Sequence, residues 1–452
     1  VDPTTFLWGA ATSSHQIEGG NVHNDWWEWE ALGNVEGGVR SGAATDHWNR
    51  WKNDLALLKE LGCNAYRFSI EWSRLEPAEG QWDLSALDVY EAIVLECERL
   101  GIVPMVTLHH FTVPKWLAAH GGFLWELAPE RFASYVRKVA DRLAARVPYW
   151  CTLNEPNVLT VGQYLGGFMP PARYEPLSIG LASRNLLRAH VKAYEILHAN
   201  RQERRGPFRA FRRMVGPVVN LIDFKPYRAA HPVERFLVRR LRRFYNNAWL
   251  DAVVGREQHF GFPFLIPYAR QVWEARRRPT ADFLGVNYYT KIYVCFGPQK
   301  ASASFVRSRF LPFGVLFRRD DEPANDLGWA IHPDGLRRVL KFVASYRLPI
   351  FVTENGIADY KDDRRGAFLT DHLTALEVAR RRGADVRGYF HWSLLDNFEW
   401  SQGFWPRFGL YEVDYGTFER KARPSAEGYR DWIARTGPDG FLLPTRAALG
   451  AP

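Results

Sequence analysis

Cysteine is scarce in this chain: Cys63, Cys97, Cys151 and Cys295 are the only four in 452 residues, and no two form a C-x-x-C pair. The four are scattered, and Cys63 and Cys151, at or near predicted buried strands, read as free core thiols rather than a disulfide framework. No apolar stretch is long enough to span a bilayer. The first residues, Val1-Asp2-Pro3-Thr4-Thr5, run straight into Phe6-Leu7-Trp8-Gly9 without a signal-peptide pattern, so a cytoplasmic protein is expected, a trimmed leader being the alternative. No Ser/Gly-rich linker, low-complexity tract or internal period appears, which favours one domain over residues 1–452 with inserted loops at about 201–245 and 291–330. Phosphate-cradling G-x-G-x-x-G and G-x-x-x-x-G-K-[ST] patterns are missing after every predicted strand, so no nucleotide cofactor is expected. Without G-x-S-x-G or H-E-x-x-H, neither a serine nucleophile nor a metal centre is indicated.

What is present is a large apolar and aromatic content, 46% and 15% of residues, enough for a sizeable core. Eighteen tryptophans beside carboxylates suit a carbohydrate site, where flat faces lie under C–H patches and polar groups surround hydroxyls. The net charge of +9 raises nucleic acid as a partner, but its distribution argues otherwise. Residues 201–245 hold twelve Arg and one Lys against Glu203, Asp223 and Glu234, so the basic character is local and no nucleic-acid motif accompanies it.

Apolar runs and helical periodicity alternate along the chain. Strands are predicted at Phe6 to Ser13, Asn64 to Ile70, Val103 to His109, Tyr149 to Glu155, Val215 to Leu221, Phe283 to Tyr289, Leu348 to Glu354 and Val386 to Leu395. Helices are predicted at Asp46 to Leu61, Leu84 to Leu100, Pro129 to Arg146, Ser178 to Gln202, Val233 to Val254, Pro333 to Tyr346, Thr370 to Arg381 and Ser425 to Ala434. Eight strands alternating with eight helices imply a parallel sheet, and eight units fit a closed (β/α)8 barrel with its reactive groups at the C-terminal strand ends.

Two of those runs share a design. Tyr149-Trp150-Cys151-Thr152-Leu153-Asn154-Glu155 is apolar and closes on a carboxylate, and Pro156 pushes Glu155 away from helical dihedrals, to a strand end that hands it to a loop. Leu348-Pro349-Ile350-Phe351-Val352-Thr353-Glu354 ends likewise, with Gly356 placed to take a turn. Two carboxyls of unequal pKa can protonate a departing oxygen and attack from the opposite face, which is what cleaving an acetal needs. His109-His110 has no metal-ligand spacing, and His110 can equally be a hydrogen-bonded core histidine.

Phe6-Leu7-Trp8-Gly9-Ala10-Ala11-Thr12-Ser13 with Gln16-Ile17-Glu18-Gly19, Tyr66 to Arg74, Thr152-Leu153-Asn154-Glu155-Pro156, Asn287-Tyr288-Tyr289-Thr290, Thr353-Glu354-Asn355-Gly356 and Trp392 to Trp400 together resemble the retaining β-glycosidases of glycoside hydrolase family 1. The resemblance runs from Phe6 to about Trp432. It implies Glu155 as general acid/base and Glu354 as the nucleophile that forms a glycosyl-enzyme, with no cofactor or metal. Arg67, Tyr289 and Asn287 would support the nucleophile, an arginine beside Glu354 favouring its charged form, and that charge raising the pKa of Glu155. Asn154 would bond the sugar 2-hydroxyl; Gln16, His110, Glu399 and Trp400 would bind the remaining hydroxyls, and Trp392 would form the stacking floor. Because residue 155 is Glu, not the Gln of the plant myrosinases, hydrolysis of O-glycosides is expected. Glu399-Trp400 in place of a phosphate-holding Ser and Lys implies an unphosphorylated sugar, a terminal β-D-glucoside, with β-galactosides and β-fucosides as further candidates.

Two stretches fit that family poorly. Val233, Phe236, Leu237, Leu241 and Phe244 form a stripe between arginines, which reads as an outer barrel helix packed on the strands. Ser304 to Arg319 mixes Phe305, Phe310, Phe313 and Phe317 with Arg307, Arg309, Arg318 and Arg319 on the catalytic rim. Such a loop suits an amphiphilic aglycone or an anionic lipid surface. A peripheral membrane protein that docks glycolipid is therefore one competing function class, and a transglucosidase moving glucose to an alcohol acceptor is the other. Nothing in the sequence specifies the oligomeric state.

Overall fold

The structure, a computed structural model, describes residues 2–256, 259–260, 271–272, 278–297, 305–307 and 313–443. Arg309, Phe310 and Leu311 of the rim segment lie outside the described residues.

Eight short apolar runs form its frame: Leu7–Ala11 (β1), Ala65–Ser69 (β2), Val103–Thr107 (β3), Tyr149–Asn154 (β4), Met214–Asn220 (β5), Leu284–Asn287 (β6), Ile350–Asn355 (β7) and Val386–Trp392 (β8). All pair in parallel, in the order β1-β8-β7-β6-β5-β4-β3-β2, with β1 returning to β2 to close the barrel. The strands read as continuous apolar runs, not as alternating ones, because helices cover their outer face while side chains fill the interior. The first strand is shorter than the predicted Phe6 to Ser13; Ser14–Ile17 already turns into a short helix.

Helices His47–Glu60, Ser85–Leu100, Ala128–Leu143, Ser178–Ala199, Pro333–Ala344, Arg365–Arg381 and Pro424–Ala434 occupy the predicted places. Each buries an apolar stripe; Ala128–Leu143, for instance, sinks Phe132, Val136, Val139 and Leu143 into the main core. The four cysteines are free and buried. Among the described residues, no helix is long and apolar enough to cross a membrane.

The two unusual stretches depart from their sequence expectations together. Asp223–Pro226, Lys291–Phe296, Phe313–Leu316 and Phe305–Arg307 form a separate four-stranded sheet, so the rim segment is in part strand, not loop. The helix expected at Val233 to Val254 is broken into Pro232–Leu241, a π-helical turn Arg242–Asn247 and Ala248–Val253. Its first part packs on this extra sheet, not on the barrel: Leu237 and Val238 meet Phe224, Ile292, Val294 and Phe313. Val233 and Phe236 face solvent. The buried face includes Glu234, which accepts from the Arg228 backbone N–H at 2.6 Å, the Phe296 N–H at 3.2 Å and the Arg228 guanidinium at 2.9 Å, so that its charge is paired inside the protein.

Candidate active site

Both carboxylates leave their strands where regular pairing breaks. The register between β4 and β5 shifts between Cys151 and Asn154. Glu155 follows β4 with φ 44° and ψ 53°, a left-handed conformation, and Pro156 begins the helix Pro156–Val161. Proline does keep Glu155 out of the right-handed helical region, as expected, but the residue is left-handed and opens a helix instead of closing a strand. A non-glycine residue pays about 1–3 kcal/mol for such a backbone, and here the Glu155 N–H is held by the Val218 carbonyl at 2.9 Å. In β7 the register to β6 breaks between Val352 and Glu354, the kind of bulge that re-aims a side chain. Gly356 is not a turn glycine: a Cβ there would lie 1.7 Å from the Trp392 carbonyl oxygen, so close approach of β8 demands it.

Closing the barrel brings Arg67 from β2 across to Glu354. Its guanidinium donates to Glu354 Oε1 at 2.5 Å, to the Thr353 carbonyl at 3.1 Å and to Asn154 Oδ1 at 2.6 Å. Tyr289 donates its hydroxyl to the other oxygen, Glu354 Oε2, at 2.6 Å. Asn287 departs from expectation. Its amide donates to Glu155 Oε1 at 2.9 Å and to Asn154 Oδ1 at 3.2 Å while its own oxygen accepts from Thr353 at 2.7 Å. It thus bonds Glu155 and not Glu354, although it ends β6, beside the strand that carries Glu354.

Glu155, Glu354, His110, Asn154, Tyr289, Trp392, Glu399 and Trp400 line one cavity of about 810 Å³. His110 is stacked near Trp392 and Trp400, with ring centroids 5.9 and 6.1 Å away and interplanar angles of 22° and 16°. Its Nε2 lies 3.2 Å from the Asn154 amide. Its ring is buried and lines the cavity. Gln16, Arg67 and Asn287 stand behind the wall, each bonded to a residue that lines it. The Gln16 amide reaches the Phe398 carbonyl at 2.9 Å, Asn397 Oδ1 at 3.0 Å and Glu399 Oε2 at 3.4 Å.

With this geometry in view, a family model, Glycosyl hydrolase family 1, matches residues 2–438. The chain belongs to glycosyl hydrolase family 1. Membership makes it a retaining β-glycosidase. Beta-glucosidase A of Thermotoga maritima is 32% identical to it over 96% of this chain and 98% of that protein. A beta-galactosidase of Pyrococcus woesei is 29% identical over 96% and 97%. Among solved structures, a beta-glycosidase from Pyrococcus horikoshii is 38% identical, with a TM-score of 0.83 over 97% of this chain and 95% of that one. These relatives lend no support to a transglucosidase or to a glycolipid-docking protein.

The electrostatics of this family 1 site act strongly on Glu155. Burial, followed by the charge of Glu354, pushes Glu155 up to about 8, against the hydrogen bonds from Asn220 and Asn287. Glu399 is likewise raised to about 8, by burial and then by Glu354 and Glu155; at neutral pH it holds a proton and can donate as well as accept. His110 is lowered well below its usual value by burial and then by the positive charge of Arg67, so its ring is neutral. Burial and the Glu354 charge hold the Tyr289 phenol protonated, the donor form.

Two supports escaped the sequence analysis. Asn220, closing β5, donates to Glu155 Oε1 at 2.9 Å and accepts from Tyr245 at 3.1 Å. The signal existed: like Glu155 and Glu354, Asn220 is a polar residue ending an apolar strand. His15 stacks on Trp400 at 5.7 Å and bonds Glu30 at 2.8 Å. A histidine two residues beyond an apolar run has no comparable signature.

Proposed function

We propose that the enzyme hydrolyses terminal β-D-glucosides by double displacement, with Glu354 as nucleophile and Glu155 as acid and then base. The observation that carries this reading is the contrast across the cavity: Glu354 is held by Arg67 and Tyr289, one on each oxygen, while Glu155 stands at about 8 and keeps its proton at neutral pH. In the first step a Glu354 oxygen bonds to the anomeric carbon as the bond to the aglycone oxygen breaks, and Glu155 delivers its proton to that oxygen. The glycosyl ester neutralises Glu354, which removes one cause of the raised Glu155 pKa. Glu155 then takes a proton from water as that water attacks the anomeric carbon and expels Glu354. Two inversions give net retention.

Asn154, fixed by Arg67 and Asn287, faces the sugar 2-hydroxyl in this reading, Trp392 carries the ring, and Glu399 with His110 and Trp400 reads the outer hydroxyls. The four buried thiols favour a reducing compartment, and a cytoplasmic location is part of the proposal. NMR of the first-formed sugar should show the β-anomer. Glu354→Gln should abolish turnover, whereas Glu155→Gln should lose roughly 10²–10⁴-fold on alkyl glucosides and far less on aryl glucosides whose leaving groups need little protonation. An α-anomer, or equal losses on both substrate types, would overturn the assignment.

A further inference from the structure

The cavity is lined by more than the residues that face the sugar in this reading, and the rest of its wall has a different chemistry. Val161, Leu165, Ile222, Leu241, Phe244 and Val315 line it there. They come from the helix after Glu155 and its π-helical continuation Gly162–Gly166, from the link after β5, from the end of helix Pro232–Leu241 with the π-helical turn behind it, and from strand Phe313–Leu316. Both stretches that stand out in the sequence thus contribute apolar side chains to one chamber, contiguous with the carboxylates.

Two of the polar side chains on this wall have hydrogen bonds committed within the protein, and Tyr174, Ser401 and Gln402 are the few others that line the cavity. Asn220 is shared between Glu155 and Tyr245, and Thr290 donates to the Ala330 carbonyl at 2.9 Å. A second sugar in the chamber would bring several hydroxyls and find few partners, and each buried hydroxyl without one is costly. An alkyl chain asks for none and gains with every methylene taken out of water. The volume of about 810 Å³ lies in the range of cavities that enclose ligands much larger than one sugar ring.

We infer that the leaving group is an apolar chain: the enzyme takes β-glycosides of long-chain alcohols and discriminates against a second sugar at the aglycone position. This rests on the β-glycosidase reading above and adds the substrate class to it. Because the chain stays bound in the transition state, kcat/KM should rise about fourfold per methylene until the chamber is filled, the ratio that follows from transferring a CH2 group out of water.

The test first finds which p-nitrophenyl β-glycoside, gluco, galacto or fuco, is cleaved fastest. It then measures kcat/KM for the methyl, butyl, hexyl and octyl glycosides of that sugar below their micellar concentrations, and for cellobiose. Fourfold for each of the five methylenes between methyl and hexyl allows a rise of up to about 10³-fold; at least tenfold, with octyl at least tenfold above cellobiose, is expected, and a smaller rise counts against the inference. Val315→Thr, which keeps the side chain's shape, and Leu241→Asn should each lower the octyl-to-methyl ratio fivefold or more, and the wild-type series decides the matter even where a variant fails to fold. A flat series, or cellobiose above octyl glycoside, overturns the inference while the glycosidase reading stands. Failure to cleave any aryl glycoside overturns both.

Discussion

Replacing Glu354 by Gln removes a negative charge while keeping the side chain's shape, and the effect should be read at Glu155. Burial is the larger cause of that residue's rise from 4.5 to about 8, and the Glu354 charge is the second. At the roughly 5 Å expected between the carboxyls of a retaining pair, with an effective dielectric near 20, two unit charges repel by about 3 kcal/mol, or about two pKa units. Glu155 in Glu354→Gln should therefore drop by about one to two units yet stay above 4.5, because its burial is untouched. Carbon-13 NMR of carboxyl-labelled glutamate, titrated against pH and assigned with the Glu155→Gln/Glu354→Gln double variant, measures this directly. The same drop is what glycosylation of Glu354 must cause if Glu155 is to turn from acid into base. An unchanged titration would show that the carboxyls do not sense one another, and the two-role account of Glu155 would fall.

Asn220→Leu removes a hydrogen bond that lowers the Glu155 pKa; the alkaline limb of the kcat/KM profile should move up by about one unit, and a limb that stays put or moves down would refute the role given to Asn220. Glu399 binds a proton in the folded state up to about pH 8 but in the unfolded chain only to its ordinary value, so it favours folding less as pH rises from about 5 through 8. Glu399→Gln should accordingly gain stability relative to the parent on going from pH 5 to pH 9, by on the order of a few kcal/mol. Denaturant unfolding at the two pH values checks this, and a relative loss at pH 9 would contradict the shift.

The sequence alone determined the alternation of strands and helices and the two strands that end in carboxylates, because those signals are local. Apolar runs of strand length, helical periodicity and a proline after Glu155 act over a few residues, and the barrel rim follows from eight repeats of one unit. Tertiary structure decided what each end group touches. Arg67 meets Glu354 across 287 positions of sequence, a contact created by closure of the barrel. That Asn287 bonds Glu155, not Glu354, is a contact made past β5, which stands between β6 and β4 in the barrel. The stripe at Val233, Phe236 and Leu237 was misplaced for a related reason: periodicity locates an apolar face but cannot foresee that Glu234, bonded to Arg228 and Phe296, belongs to the buried one. Gly356 looked like a turn glycine because its local sequence allows one, and only the approach of the Trp392 carbonyl reveals the real constraint. The apolar chamber is tertiary throughout: its walls come from four segments, each apolar for an ordinary local reason, and only the folded chain brings them to one cavity.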